Sequence, residues 1–326
     1  MTMAFRIHEQ GGPEVLRWEE VPLPPPGPGE VRMRNTAVGL NFIDVYHRSG
    51  HYKLALPSGI GQESAGVVEE VGPGVDGFKA GDRVATCGGG GLNAYAEARN
   101  YPADRLVAVP EGISDETAAA MMLKGLTAWY LLRRTRPVQA GETILVHAAA
   151  GGTGLLLCQW ARHLGARVIG TVGSEAKAAL AAEHGCHHPL ILDPATLPAR
   201  VKELTGGAGV PVVYDSVGRD TFMASLDCLS PLGMMVSFGQ SSGSPPPLDV
   251  GVLAAKGSLF LTRPSLFAYV ARRPDLLAGA KELFGVVAAG AVKVPVRQRY
   301  ALADAPQAHR DLEARRTTGA SVLIPG

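Results

Sequence analysis

From about residue 126 to residue 263, short apolar runs rich in β-branched residues alternate with segments of helical periodicity. Helices are predicted at 155–164 and 175–184, each ending just before a glycine. The runs predicted as strands are 143–147, 167–172, 189–192, 211–216, 234–238 and 258–262. Apolar strands that alternate with helices form a parallel sheet covered on both faces. The sequence therefore predicts an α/β fold with a six-stranded, doubly wound parallel sheet.

A stretch of small residues, 148–154 (AAAGGTG), separates the first predicted strand from the helix at 155–164. Small side chains let the backbone approach a pyrophosphate closely, and the start of a helix offers it unpaired N–H groups. A glycine-rich turn alone often serves only as a tight bend. With a strand before it and a helix after it, the turn indicates dinucleotide binding. The predicted phosphate-binding residues are Gly151, Gly152, Thr153 and Gly154.

The end of the next predicted strand, 167–172, indicates which dinucleotide is bound. NAD sites place an Asp or Glu about 20 residues after the first glycine of the turn, to hold the ribose 2′-hydroxyl. Val172 occupies that position here, and Ser174 and Lys177 follow it. A hydroxyl and an ammonium can donate to a 2′-phosphate, so the segment favours NADPH. Ser174 also fits the N-cap of the helix at 175–184, and the two roles are compatible.

Residues 1–125 have a different pattern, in which short apolar runs such as 66–71 and 82–85 are separated by Pro and Gly clusters. This pattern is typical of a compact β-rich unit, mostly strand and turn. The elements predicted after residue 264 are a helix at 274–289, a strand at 292–300, a helix at 304–316 and a strand at 321–324. The last helix and strand can complete the β-rich unit rather than form a third domain.

Composition and charge exclude several classes of protein. The chain has 31 Lys and Arg against 30 Asp and Glu, a net charge of +1, so no field attracts nucleic acid or an anionic membrane. No apolar run is long enough to span a bilayer. The four cysteines are far apart, with no CxxC pair, which argues against a structural zinc lobe and a disulfide scaffold. We therefore expect a cytoplasmic protein with no nucleic-acid or membrane partner.

Stretches along the whole chain resemble the zeta-crystallin-like quinone oxidoreductase branch of the medium-chain dehydrogenase/reductase superfamily. The stretches that carry the resemblance are 8–16 (HEQGGPEVL), 38–52 (VGLNFIDVYHRSGHY), 79–84 (KAGDRV), 123–132 (LKGLTAWYLL), 147–154 (HAAAGGTG), 214–221 (YDSVGRDT), 236–243 (VSFGQSSG) and 256–266 (KGSLFLTRPSL). The resemblance implies a GroES-like β-rich catalytic domain, 1–125 plus 264–326, and a Rossmann domain, 126–263. It also implies NADPH as cofactor, a small quinone as substrate, and a homodimer joined through the edge strand at 258–262.

The resemblance is informative about metal binding as well. Zinc-dependent members of this superfamily hold a catalytic zinc with cysteine and histidine ligands. The matching positions of this chain carry Asn41, Gln62 and Lys124, which are not zinc ligands, although the neighbouring acid Glu63 is kept. Oxidising an alcohol without a Lewis acid is difficult, whereas a quinone accepts a hydride or electrons readily. The sequence therefore predicts a metal-free quinone reductase.

The resemblance implies three residues at the reaction site, namely Asn41, Tyr46 and Tyr52. Asn41 would bond the ribose or carboxamide of the cofactor, Tyr46 its phosphate or ribose, and Tyr52 would stack on or bond the quinone. The residues implied to contact NADPH are Asn41, Tyr46, Tyr130, Gly152, Thr153, Ser216, Phe238, Gly239, Gln240, Ser241 and Arg315. For each tyrosine a packed ring is the alternative, and for Arg315 simple exposure. Relatives place a tyrosine at Leu192, so one hydroxyl near the 2′-phosphate is lost.

Two other functions stay open on the sequence alone. An alkenal or enoyl reductase would use the same fold and NADPH without metal, but would need a proton donor for the α-carbon, for which Tyr46 and Tyr52 are the candidates. Zeta-crystallin-like proteins also include lens crystallins and RNA-binding proteins. The near-zero net charge argues against an RNA-binding surface.

Overall fold

The structure, a computed structural model, describes residues 1–326. The chain forms two compact units. The first contains Met1–Leu126, Tyr269–Ala289 and Val294–Gly326, and the second contains Thr127–Ala268 and Gly290–Lys293. The sequence-based division into 1–125 plus 264–326 and 126–263 stays a prediction about independent domains.

The elements are numbered in chain order. The strands are β1 (Thr2–Ile7), β2 (Arg17–Val21), β3 (Glu30–Gly39), β4 (Ser58–Gly59), β5 (Glu63–Val71), β6 (Arg83–Cys87), β7 (Ala98–Pro102), β8 (Val107–Ala108), β9 (Thr143–Val146), β10 (Arg167–Val172), β11 (His188–Ile191), β12 (Val210–Asp215), β13 (Leu229–Ser237), β14 (Phe260–Thr262), β15 (Val296–Ala301) and β16 (Ala320–Ile324). The helices are α1 (Phe42–Ser49), α2 (Asp115–Tyr130), α3 (Gly152–His163), α4 (Glu175–Glu183), α5 (Leu197–Leu204), α6 (Phe222–Asp227), α7 (Gly251–Ala255), α8 (Leu266–Tyr269), α9 (Arg273–Ala288) and α10 (Ala305–Glu313). None of these helices has both the length and the apolar character needed to cross a membrane.

The second unit contains a six-stranded sheet in the order β11-β10-β9-β12-β13-β14, and every pairing in it is parallel. The predicted doubly wound sheet is confirmed. The chain order reverses between β9 and β12, and open α/β sheets bind ligands beyond the carboxyl ends of the strands at such a reversal. Apolar side chains such as Leu145, Ile169 and Val213 are fully buried there, as continuous apolar strands require.

Several strand ends in the second unit differ from the sequence-based prediction. His147 lies just after β9, because its backbone N–H bonds Tyr214 outside the ladder. The segment predicted at 258–262 is strand only from Phe260, because Ser258 has a left-handed φ of 56°. β13 begins five residues earlier than the predicted 234, since Leu229 already pairs with Val210 of β12, before a register shift that precedes Met234.

The first unit contains a seven-stranded sheet and a three-stranded sheet. The larger sheet has the order β15-β16-β3-β5-β6-β8, with β7 paired to β3, and the smaller one has the order β2-β1-β4. Val31 and Met33 alternate with half-exposed residues along β3 and are fully buried. The last strand, β16, pairs antiparallel with β3, so the C-terminal segment completes the β-rich sheet.

The prediction of residues 1–125 as mostly strand and turn missed α1 and the first part of α2. A signal for α2 was present, because Ser114 precedes an apolar run and its hydroxyl accepts the Thr117 N–H at 3.1 Å, as an N-cap does. Near the C-terminus, the helix predicted to reach residue 316 ends at Glu313, since Arg315 has a φ of 57°. The strand predicted from residue 292 begins at Val296.

We predict that Phe222→Ala lowers the free energy of unfolding of the second unit by about 3–5 kcal/mol. Phe222 is buried in the core cluster beside α6, and its truncation removes apolar contacts and leaves a cavity. The control is Met223→Ala, because the neighbouring Met223 side chain is 41% exposed and should change stability by less than about 0.5 kcal/mol. Chemical denaturation of both variants would measure the difference, and equal losses would contradict the core assignment.

Candidate functional site

The predicted phosphate-binding segment, 148–154, follows β9 as the sequence predicts, but its last three residues, Gly152–Gly154, form the first turn of α3, which begins three residues before the predicted 155. Gly151 is the N-cap of α3, and no side chain caps the helix, so no side chain uses its first N–H groups. A Cβ on Gly154 would lie 2.2 Å from the carbonyl oxygen of Ala148, so only glycine permits this closely folded turn. Ala148 itself adopts a left-handed φ of 51°. A bare turn with free helical N–H groups fits a pyrophosphate.

A buried chain of hydrogen bonds supports this turn, and sequence reasoning missed it. The Asp215 carboxylate accepts the Ser225 hydroxyl at 3.0 Å, and the Ser225 oxygen faces His147 Nε2 at 2.9 Å. Because Ser225 donates to Asp215, Nε2 carries the proton and Nδ1 accepts the Thr171 hydroxyl at 2.8 Å. Burial lowers the pKa of His147 and keeps the imidazole neutral. The residue just before the turn is thereby held in one tautomer and one orientation.

The segment predicted to read the 2′-phosphate follows β10. Ser174 is the N-cap of α4 and its hydroxyl accepts the Lys177 N–H at 3.4 Å, so the expected capping role is confirmed. The Ser174 side chain is exposed and Lys177 is half-buried, whereas Val172 is buried within the sheet. Leu192, at the end of the neighbouring strand, packs against the core cluster of the second unit.

The structure brings several predicted cofactor residues together at the carboxyl ends of β12 and β13. The Ser241 N–H donates to the Ser216 carbonyl at 3.1 Å, and the Phe238 N–H donates to the Asp215 carbonyl at 2.8 Å. A Cβ on Gly239 would lie 2.7 Å from the Ser216 carbonyl oxygen, so glycine is needed there. Gln240 lies within the same loop. Tyr130, the last residue of α2, is buried and belongs to the second unit.

In the first unit, Asn41, Glu63 and Lys124 form a buried cluster. The Asn41 amide nitrogen donates to Glu63 Oε2 at 2.8 Å, and Lys124 Nζ donates to the same oxygen at 2.9 Å. The Leu123 N–H donates to Oε1 at 2.7 Å. The Glu63 carboxylate therefore has donors on both oxygens, and the Asn41 side chain is fixed with its nitrogen toward Glu63. This orientation leaves the Asn41 carbonyl oxygen as an acceptor, which faces the Asp44 N–H in the capping box of α1 and has a second lone pair for a ligand.

The two candidate substrate tyrosines lie together at the C-terminal part of α1. The rings of Tyr46 and Tyr52 meet edge to face at 5.3 Å, and the Tyr52 N–H donates to the Tyr46 carbonyl at 2.9 Å. The exposed ring of His51, which sequence reasoning did not select, lies within 5.5 Å of both. Both tyrosines are half-buried, so their rings offer an aromatic surface at this end of the helix. Arg315 lies in the same unit, exposed, just beyond α10.

Comparison with known proteins places this geometry in a family. Residues 27–111 match the alcohol dehydrogenase GroES-like domain, and residues 152–272 match the zinc-binding dehydrogenase family. A quinone oxidoreductase of Pseudomonas aeruginosa is 52% identical over 326 residues, covering 100% of both chains. The crystal structure of Escherichia coli quinone oxidoreductase complexed with NADPH superposes with a TM-score of 0.96 at 49% identity, covering 99% of this chain and 100% of the other. The chain belongs to the quinone oxidoreductase family of medium-chain dehydrogenases/reductases. A 2-haloacrylate reductase of a Burkholderia species is also similar, 48% identical over 100% of this chain and 99% of the other.

Although one matching family is named for zinc, the residues of this quinone oxidoreductase family member do not fit a zinc ion. The Lys124 ammonium and the Asn41 amide both donate to Glu63 Oε2, and the Leu123 N–H donates to Oε1, so both carboxylate oxygens that a metal would need are already engaged. Zinc binds thiolate, imidazole and carboxylate groups, and a neighbouring ammonium repels it. No group of three or more His, Cys, Asp or Glu side chains is arranged to hold a metal.

We predict that Gly154→Ala weakens NADPH binding by at least tenfold, because the added methyl group would push the Ala148 carbonyl and open the turn. A tenfold loss corresponds to about 1.4 kcal/mol, which lies within the usual cost of an overpacked site, about 1–3 kcal/mol. Calorimetric titration would measure the affinity. The control is Gly285→Ala in α9, where the added methyl group has no neighbour within 4 Å. Unchanged affinity in Gly154→Ala would mean that this turn does not hold the cofactor.

Proposed function

We propose that this protein is an NADPH-dependent quinone reductase that works without a metal ion. The observation that carries the proposal is the full-length match, at about half identity, to proteins named quinone oxidoreductase, one of them crystallised with NADPH. Two features of the structure support it. The uncapped start of α3 fits a pyrophosphate, and the Asn41–Glu63–Lys124 cluster does not fit a metal ion.

The second unit contains most of the residues that are proposed to bind the cofactor. In the second unit, the N–H groups of Gly151–Gly154 bind the pyrophosphate, and the Ser174 hydroxyl and Lys177 ammonium bind the 2′-phosphate. The further contacts proposed from the family are Tyr130, Ser216, Phe238, Gly239, Gln240, Ser241 and Arg315. The bound nicotinamide supplies the reducing equivalents, and the protein positions it and excludes water.

Three residues of the first unit are proposed to act at the reaction site, two on the cofactor and one on the quinone. Asn41 accepts a hydrogen bond from the cofactor through its carbonyl oxygen, because Glu63 fixes its amide nitrogen. Tyr46 bonds the cofactor, and Tyr52 offers its ring to the planar quinone. The quinone oxygens can be protonated by solvent, so the reaction requires no side-chain acid.

Reduction of an activated carbon–carbon double bond is the second candidate, because a 2-haloacrylate reductase is 48% identical over the full chain. The test compares NADPH oxidation with 1,2-naphthoquinone, crotonaldehyde and 2-chloroacrylate, each in the presence of a chelator. We expect the quinone to be reduced with the highest kcat/KM and the chelator to have no effect. Preferential reduction of 2-chloroacrylate would establish the second candidate instead, and loss of activity in chelator would contradict a metal-free site.

We predict that Lys177→Ala raises the KM for NADPH by about one to two decades and leaves the KM for NADH nearly unchanged. A charge-assisted hydrogen bond contributes about 1.5–3 kcal/mol, and the half-buried position of Lys177 places the effect toward the lower end. Steady-state kinetics with both cofactors measure the ratio, with Lys281→Ala, an exposed lysine of α9, as the control. Equal losses with both cofactors would show that Lys177 does not read the 2′-phosphate.

We also propose a homodimer formed through β14, in a cytoplasmic protein with reduced thiols. β14 is the edge strand of the parallel sheet, and its Phe260 and Leu261 are 56% and 39% exposed. An apolar edge strand invites pairing with a second copy. All four cysteines are buried and unpaired, as a reducing compartment allows. Light scattering should give the mass of a dimer for the wild type and of a monomer for a Phe260→Glu, Leu261→Glu variant. A monomeric wild type would contradict the dimer.

A further inference from the structure

Behind the start of α1, four buried side chains of the first unit are hydrogen-bonded end to end. Arg48 Nη1 lies 3.0 Å from His309 Nδ1, and His309 Nε2 lies 3.1 Å from the Tyr95 hydroxyl. The Tyr95 hydroxyl in turn donates to Asp44 Oδ2 at 3.0 Å. None of the four is more than 1% exposed, although they come from three distant parts of the chain. Nothing in the proposed chemistry has used them.

The hydrogen bonds that join these four side chains can run in only one direction. Arg48 has donors only, so His309 Nδ1 accepts and the imidazole proton lies on Nε2. That N–H donates to the Tyr95 oxygen, which leaves the Tyr95 proton for Asp44. Burial and the nearby Arg48 charge lower the pKa of His309 to about 3, so the imidazole stays neutral. The same guanidinium group also donates to the Glu313 carboxylate, through Nη1 at 3.0 Å and Nη2 at 2.8 Å.

The series of hydrogen bonds ends on Asp44, whose Oδ2 also accepts the Asn41 backbone N–H at 2.9 Å. The second oxygen, Oδ1, is buried and has no hydrogen-bond partner. Oδ2 therefore accepts two donors, and Oδ1 is the atom that takes up a proton. Burial raises the pKa of Asp44 to about 7, while Asn41, Tyr95 and Lys124 oppose the rise and Glu63 adds to it. Asp44 consequently changes its charge within the ordinary working range of pH.

We propose that Asp44 is a positioning residue. Its ionised carboxylate, polarised by the series of hydrogen bonds that starts at Arg48, fixes the Asn41 backbone at the start of α1 for cofactor binding. The proposal rests on the proposed function for the role of Asn41 and Tyr46. A protonated acid is a weaker acceptor at Oδ2, so uptake of a proton loosens the Asn41 N–H and the start of the helix. Cofactor affinity is therefore expected to fall as the pH falls through about 7.

The test measures cofactor dissociation constants from about pH 5.5 to about pH 9, by calorimetry, for the wild type and two variants. NADH is titrated in parallel with NADPH, because the 2′-phosphate itself titrates near pH 6 and NADH lacks it. Tyr95→Phe keeps the ring and removes the donor to the carboxylate, so the midpoint of the pH dependence should rise by about one pH unit with both cofactors. Asp44→Asn should abolish the pH dependence of NADH binding and hold the NADH affinity at the wild-type low-pH level.

The matched control is Tyr101→Phe, which removes another buried hydroxyl of the same unit, bonded to Thr86 and to the Gly90 N–H. It should leave the midpoint where the wild type has it. An unchanged midpoint in Tyr95→Phe, or a persistent midpoint of NADH binding in Asp44→Asn, would overturn the proposal. Because these are binding measurements, a protein that failed to reduce quinones but showed the shifts would lose the proposed function and keep the positioning role.

A measurement on the wild type covers the case in which Tyr95→Phe does not fold. Infrared difference spectra across the same pH range detect the carbonyl stretch of a buried protonated carboxyl group. The proposal expects that band to appear with the same midpoint as the loss of NADH affinity. Two clearly separate midpoints, or no such band, would overturn it.

Discussion

The first unit depends on one buried carboxylate, that of Glu63. It lies on β5 and receives the side chains of Asn41, from the start of α1, and Lys124, from α2. The backbone is packed around it so closely that a Cβ on Gly39 would lie 2.3 Å from Glu63 Oε2. Removing one partner of a buried ion pair leaves an uncompensated charge and costs about 3–5 kcal/mol. The candidate residue Asn41 is therefore oriented by a group that the fold cannot easily change.

The second unit uses a buried carboxylate in a similar way. Asp215, at the end of β12, sets the direction of the hydrogen bonds through Ser225 to His147, the residue before the phosphate-binding turn. In the first unit Arg48 sets the direction of the hydrogen bonds, and the last of them ends on Asp44, beside Asn41. In both units a neutral, buried histidine accepts a hydrogen bond through Nδ1 and donates one through Nε2, so the direction of the hydrogen bonds continues through it. Binding residues held by such chains need little reordering when a ligand arrives, which preserves affinity.

The sequence was sufficient for the parallel sheet and for the turn, because period and glycine placement are local signals. β10 matches its predicted bounds, and the turn at Gly151–Gly154 is where the strand–turn–helix pattern predicts it. The buried chains could not be predicted, because their members lie far apart in sequence: 261 residues separate Arg48 from His309. Strand ends were missed where a single backbone angle decides them, as at Ser258. Charge partners such as Glu63 and Lys124 emerge only from tertiary contact.

The central claim is that a metal-free site passes reducing equivalents from NADPH to a quinone. The most direct test is a single-turnover experiment, in which the protein with bound NADPH is mixed with a quinone after exhaustive treatment with chelator. Our account predicts that the nicotinamide absorbance disappears rapidly, with one quinone reduced by two electrons, or two by one electron each, for every NADPH oxidised. Persistence of the bound NADPH until a divalent metal is added would contradict it.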